Sequence, residues 1–244
     1  MSAAASPSPA AESGQPSESL VEIAYERIEE MIVSMELTPG GRVSEPFLVE
    51  RLKLGRTPIR EALVKLAMDQ LLIWLPRRGM VVREINLQTQ LKVLETRRAL
   101  ELVLVSAAAR RRTAAEAEEV LRIAETFRSL RGDPDHLRIL KLDRAFITKL
   151  IEISRNPFLR AIVPLYALSR RFWFACEMHQ TRFKPEVLTD YHILIGTAVA
   201  AGDEAEADRQ TRAFLDYVEA FTLYVGTEGL ADGARETGHA PTLT

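Results

Sequence analysis

The chain has 244 residues, 47% of them hydrophobic, and its 32 Lys and Arg against 34 Asp and Glu leave a formal net charge of −2. That length accommodates two domains, and a single cysteine excludes an internal disulfide framework. No apolar run approaches the roughly 18 residues that a membrane span needs, so a soluble, cytoplasmic protein is expected.

Residues 1–19, rich in Ala, Ser and Pro without a basic start, read as a disordered tail and not a secretion signal. From Leu20 to Met35 apolar residues recur at helical spacing, and Thr38-Pro39-Gly40-Gly41 breaks the pattern. Ser44 suits the cap of a short second helix carrying Phe47, Leu48 and Leu52. A tight connection over 53–55 leads to a third helix. Thr57 suits its N-cap, Pro58 its first turn, and Leu63, Leu66 and Ala67 its inner face. Residues 72–75 and 80–85 then read as strands around Pro76-Arg77-Arg78-Gly79, with Gly79 supplying the turn's backbone angles. The order is that of a winged helix-turn-helix.

Charge distribution supports a nucleic-acid role that the total charge hides. Between residues 51 and 83, eight bases face only Glu61 and Asp69, leaving +6. Arg56 and Arg60 stand at the start of the third helix, where guanidinium groups can fork onto guanine edges and the free N–H groups favour a phosphate oxygen. Arg77 and Arg78 occupy the tip of the wing, and Lys65 extends the basic set. The acids concentrate in the first helix and its end, at Glu22, Glu26, Glu29, Glu30 and Glu36, which keeps that helix away from phosphates.

The rest of the chain reads as helices. Runs over 89–112, 113–132, 133–156, 157–177, 185–201 and 205–225 are separated by clear stops, and Thr113 to Glu116 fits a capping box. Six helices in about 140 residues can bury a full core. Cys176 reads as a packing residue, and residues 227–244 as a second disordered tail.

Residues 20–86 resemble the winged helix-turn-helix of the GntR family of bacterial transcription regulators. The residues that carry the likeness are Pro39-Gly40, Ser44-Glu45, Arg56-Thr57-Pro58-Ile59-Arg60-Glu61-Ala62-Leu63 and Arg78-Gly79. The resemblance implies DNA contacts from Arg56, Thr57 and Arg60 on the recognition helix and from Arg78 and Gly79 on the wing. Pro46, Gly55 and Asp69-Gln70 depart from the family pattern, so the operator cannot be borrowed from relatives.

Residues 87–226 resemble the all-helical FCD domain of the FadR-like branch, through Glu95 to Glu101, Asp143-Arg144-Ala145-Phe146, Asn156 to Leu159, and His192 to Asp203. The expected fold is therefore mainly α: a winged helix-turn-helix with a β-hairpin wing, then an antiparallel helical bundle for effector binding and dimerisation. Many members of this branch hold a divalent metal with an Asp and three His, beside an arginine that takes a carboxylate effector. Here Asp143 and His192 keep two of those positions, while Ile147 and Phe214 replace the other two. Neither can donate a lone pair, so no metal and no cofactor is expected, and Asp143 and His192 read as a residual hydrogen-bonded pair. The exchanges favour an apolar or aromatic acid anchored by Arg97, unless Ile147 and Phe214 simply fill a core.

No phosphate loop, nucleophile elbow or zinc-hydrolase helix is present, which argues against an enzyme. The expected protein is a homodimeric, ligand-responsive regulator of a palindromic operator, a repressor by family analogy. The alternative is an architectural DNA-binding protein whose helical part only dimerises.

Overall fold

The computed structural model describes residues 19–177 and 184–226. The expectations of disordered tails over 1–18 and 227–244 lie outside those residues. Ser19, assigned to the first tail from sequence, instead caps α1 (Leu20–Val33): its hydroxyl accepts from the Glu22 amide while the Glu22 carboxylate accepts from its own amide. Ser44 caps α2 (Glu45–Leu52) as expected, and Lys53 ends that helix in the left-handed region at φ 56°.

The recognition helix α3 (Arg56–Met68) begins earlier than the sequence suggests. Gly55, not Thr57, is its N-cap, and it provides no side-chain bond. The Ile59 amide donates to the Gly55 carbonyl (3.4 Å), which closes the first turn before Thr57 can stand outside it. Thr57 and Pro58 therefore lie within the first turn.

The wing pairs β1 (Leu72–Leu75) with antiparallel β2 (Gly79–Val82), Leu72 opposite Val82 and Leu75 opposite Gly79. The chain at 40–43 flanks β2, with the Val82 amide donating to the Gly41 carbonyl and the Val43 amide to Met80 (2.9 Å each). β2 stops short of the expected Ile85 because the Arg83 amide turns to the Leu71 carbonyl (3.0 Å).

Six longer helices follow: α4 (Leu87–Arg111), α5 (Ala114–Ser129), α6 (His136–Ser154), α7 (Val163–Glu177), α8 (Pro185–Ala201) and α9 (Glu204–Tyr224). The run expected from Pro157 to Glu177 is divided, since Pro157–Ile162 forms a 3-10 turn before α7. Thr113 and Glu116 form the expected capping box on α5. Thr113→Ala should therefore destabilise the protein by about 1 kcal/mol, lowering its melting midpoint by about 2–4 °C in a thermal melt.

Among the described residues, buried apolar side chains form two clusters. The larger fills the bundle, with α4 packed along α9 and α5 along α8. The smaller joins α1, α2, α3 and the wing through Ile28, Leu48, Leu66 and Leu72, and it is completed by Val93 of α4 and by Ala167 and Leu168 of α7. The bundle thus contributes side chains to the core of the head.

The acids of α1 explain how the two parts meet. Glu29 is buried beneath Arg144 and Arg170, Glu26 pairs with Arg144 (2.7 Å), and Glu30 pairs with Lys141 (2.5 Å). The face that the sequence presents as repelling phosphate is therefore the face that docks on α6 and α7.

Candidate functional site

Two sites emerge, one exposed and basic, the other buried. At the first, Arg56, Thr57, Arg60, Arg77 and Arg78 are exposed, and Gly79 is half-buried. Arg60 lies four residues beyond Arg56, so both project from neighbouring positions of the first turns of α3. Glu45 at the start of α2 accepts from Arg60 Nε at 2.8 Å and so orients the guanidinium. In the wing, Arg77 and Gly79 both adopt left-handed angles (φ 64° and 76°), and the Arg78 amide donates to the Leu75 carbonyl, which projects the tip. Gly79 alone was expected to carry that turn.

Lys65 does not share this face. Nine residues past Arg56, it falls on the opposite side of a 3.6-residue helix, and its charge acts on Glu22 of α1. The reading from composition missed Trp74, which is 69% exposed on β1 opposite Met80. Strand alternation puts it on the same face as Leu72, which is buried, so no sequence pattern marked it as exposed.

The buried site gathers Arg97, Asp143, Ile147, His192 and Phe214 from α4, α6, α8 and α9, all of them in the bundle interior. The convergence comes with partners that the sequence reading did not assign. Arg97 donates from Nε to Glu101 at 2.6 Å, one turn along α4, with both side chains 3% exposed. Its guanidinium also lies 3.9 Å from the centre of the Tyr166 ring. An acid four residues from an arginine was legible in the sequence as an ion pair. Arg97 is therefore not an unengaged carboxylate anchor, although its Nη2 has no hydrogen-bond partner.

His192 meets Asp143 Oδ1 through Nε2 at 2.8 Å and the Leu188 carbonyl through Nδ1 at 2.6 Å. The ring thus has both nitrogens engaged by oxygen atoms of the protein. Ile147 and Phe214 adjoin it and offer no ligand atoms. Among the described residues no group of three or more His, Cys, Asp or Glu side chains could hold a metal ion. Among the described residues, which do not include His179, this donor set does not fit the divalent metal that the FCD resemblance implies.

Phe214 meets the His192 ring edge-on at 5.2 Å, and Phe127 stacks on its face at 4.6 Å. The space left is small. One cavity of about 30 Å³ is lined by Arg97, Asp143, Tyr166, Arg170, His192 and Phe214, and another of about 10 Å³ by Ile147, His192, Thr211 and Phe214. Those volumes suit a water or two, so Ile147 and Phe214 fill the interior more than they enlarge a pocket.

Burial alone would push the Asp143 carboxyl up, but the hydrogen bond and charge of His192, with Arg170 and Arg97, hold it below the usual carboxylate range. A depressed carboxyl contributes stability that is present above its unfolded value, near 3.8, and is lost as pH falls toward the folded one. Asp143→Asn should therefore flatten the acid limb of a stability-versus-pH curve, as denaturation midpoints between pH 2 and 6 would register. Cys176 is half-buried, and burial pushes its thiol up to about 12, so it remains a thiol at neutral pH.

Among the described residues no helix is long and apolar enough to cross a membrane. Residues 20–82 match the family model of the bacterial regulatory proteins, gntR family, and residues 92–217 match that of the FCD domain. The chain is 34% identical over 145 residues to the Nta operon transcriptional regulator of Aminobacter aminovorans, covering 59% of this chain and 68% of that one. It is 27% identical over 213 residues to the HTH-type transcriptional regulator LutR of Bacillus subtilis (strain 168), covering 78% and 94%. The structure of E. coli McbR/YncC has the same fold, with a TM-score of 0.74 over 86% of this chain and 100% of that one at 20% identity.

Proposed function

The chain belongs to the GntR family of DNA-binding transcription regulators that carry an FCD domain, which are not enzymes, and from that membership we propose a homodimeric, cytoplasmic repressor of a palindromic operator that answers to an organic acid. Residues 20–86 act as the DNA-binding domain and 87–226 as the effector and dimerisation domain. In each protomer Arg56, Thr57 and Arg60 read a half-site from the major groove, while Arg77, Arg78 and Gly79 approach the backbone. Two-fold symmetry of the dimer requires a palindrome.

The observation that supports an acid is a pair of unsatisfied donors. Arg97 Nη2 and Arg170 Nε are buried without hydrogen-bond partners, and both arginines line the 30 Å³ cavity beside Asp143. A carboxylate entering there supplies the missing acceptors. Its body has to displace Phe214 or Trp173, whose rings favour an aromatic acid. The same closed core also favours a second reading, in which the bundle only dimerises.

A thermal melt with millimolar benzoate or salicylate, compared with lactate and citrate, separates the two. An effector site gives a rise of several degrees with the aromatic acids. No response to any of the four supports the dimerisation reading.

A further inference from the structure

A cleft of about 130 Å³ lies between α1 of the head and α6 and α7 of the bundle. Arg170 lines this cleft and also the 30 Å³ cavity of the buried site. Toward the head, its Nη2 donates to Glu29 Oε1 at 2.7 Å. Toward the core, its Nε stands 3.9 Å from Asp143 Oδ2, and the other Asp143 oxygen takes the His192 ring. His192, Asp143, Arg170 and Glu29 thus form one line of ionisable side chains through α8, α6, α7 and α1.

We propose that Arg170 is the link through which the buried site sets the position of the DNA-binding head. The inference rests on the regulatory role proposed for that site. Both ends of the link are incompletely satisfied, since Arg170 Nε and Glu29 Oε2 are buried without hydrogen-bond partners. Open positions at both ends leave each group able to take a further partner, and the adjoining cleft gives the side chains room to do so. An anion at Arg170 competes directly with Glu29 for its charge. The next residue ties the same helix to the linker: Arg171 donates to the carbonyls of Arg83 (2.7 Å) and Glu84 (3.2 Å), in the segment that joins β2 to α4. Movement of α7 therefore reaches the head by two routes, through α1 and through the linker.

The test uses the whole chain, without added acid, and a duplex recovered by selecting random DNA on the wild-type protein. Asp143→Asn removes charge at the core end and Glu29→Gln at the head end. Duplex affinity is measured by fluorescence anisotropy for both variants and for the double variant, after thermal melts establish that each is folded. The link predicts that the combined effect departs from the product of the single effects by about fivefold or more. It also predicts that Asp143→Asn alters hydrogen exchange of α1 amides only while Glu29 is intact.

Direct coulombic coupling between the two carboxylates is separated by repeating the cycle with Arg170→Lys, which keeps the charge but cannot span both partners. Coupling that disappears there supports the link. Multiplicative effects in the wild-type background, or coupling unchanged with lysine, overturn it. If the link holds while no carboxylate stabilises the protein, the effector reading fails and the role of Arg170 stands.

Discussion

Replacing Glu101 by Ala is expected to destabilise the protein by about 3–5 kcal/mol and to lower the melting midpoint by roughly 6–20 °C. Arg97 cannot shed its proton, and its pair with Glu101 is almost wholly enclosed. Without Glu101 the guanidinium keeps the faces of Tyr166 and Phe214 and the more distant Asp143. Glu101→Gln should cost less, because an amide oxygen still accepts from Nε. The double variant Arg97→Met with Glu101→Leu should recover most of the loss, because removing both charges leaves neither one buried and unpaired. A Glu101→Ala midpoint within 2 °C of wild type would mean that water reaches the pair, and the enclosed site described above would be wrong.

Arg60→Ala should reduce affinity for the selected duplex by about tenfold to a hundredfold while leaving its binding to random DNA much closer to wild type. That split distinguishes a base-reading arginine from one that only meets phosphate. Arg78→Ala at the wing tip should weaken selected and random duplexes alike and reduce the dependence of log affinity on log salt by about one. Glu45 sharpens the first expectation, because it holds Arg60 Nε and so limits the directions in which the guanidinium can fork. Anisotropy titrations at several salt concentrations measure both effects. Equal losses on every sequence for Arg60→Ala would move this arginine from base reading to the backbone.

Much of the fold was legible in short-range chemistry. Ser44 and Thr113 cap the helices they were expected to cap, and the hairpin forms around Pro76 to Gly79. The meeting of Asp143 and His192 also followed from family spacing, since each position stands on an inward helical face. The start of α3 did not follow, because Gly55 can enter a helix without a side-chain cap, and composition favours the Thr57 hydroxyl instead.

The larger omissions concern partners distant in sequence. Helical spacing shows that Lys65 is basic and that Glu29 is acidic, but not which helix each one faces. Glu29 and Arg170 are 141 residues apart, and only the packing of α1 on α7 makes their charges one buried pair. The acids of α1 therefore read only as repelling phosphate until the basic residues of α6 and α7 were in place. Arg97 looked available for a ligand for the same reason, since a side chain's commitments are set by everything packed around it.

The most direct test of where DNA is read is hydrogen exchange of the whole chain, free and bound to the selected duplex. The assignment predicts added protection over residues 56–61 of α3 and 77–79 of the wing, with little change on the outer faces of α5 and α8. Tight binding that leaves both of those segments unprotected, with protection appearing elsewhere, would contradict it.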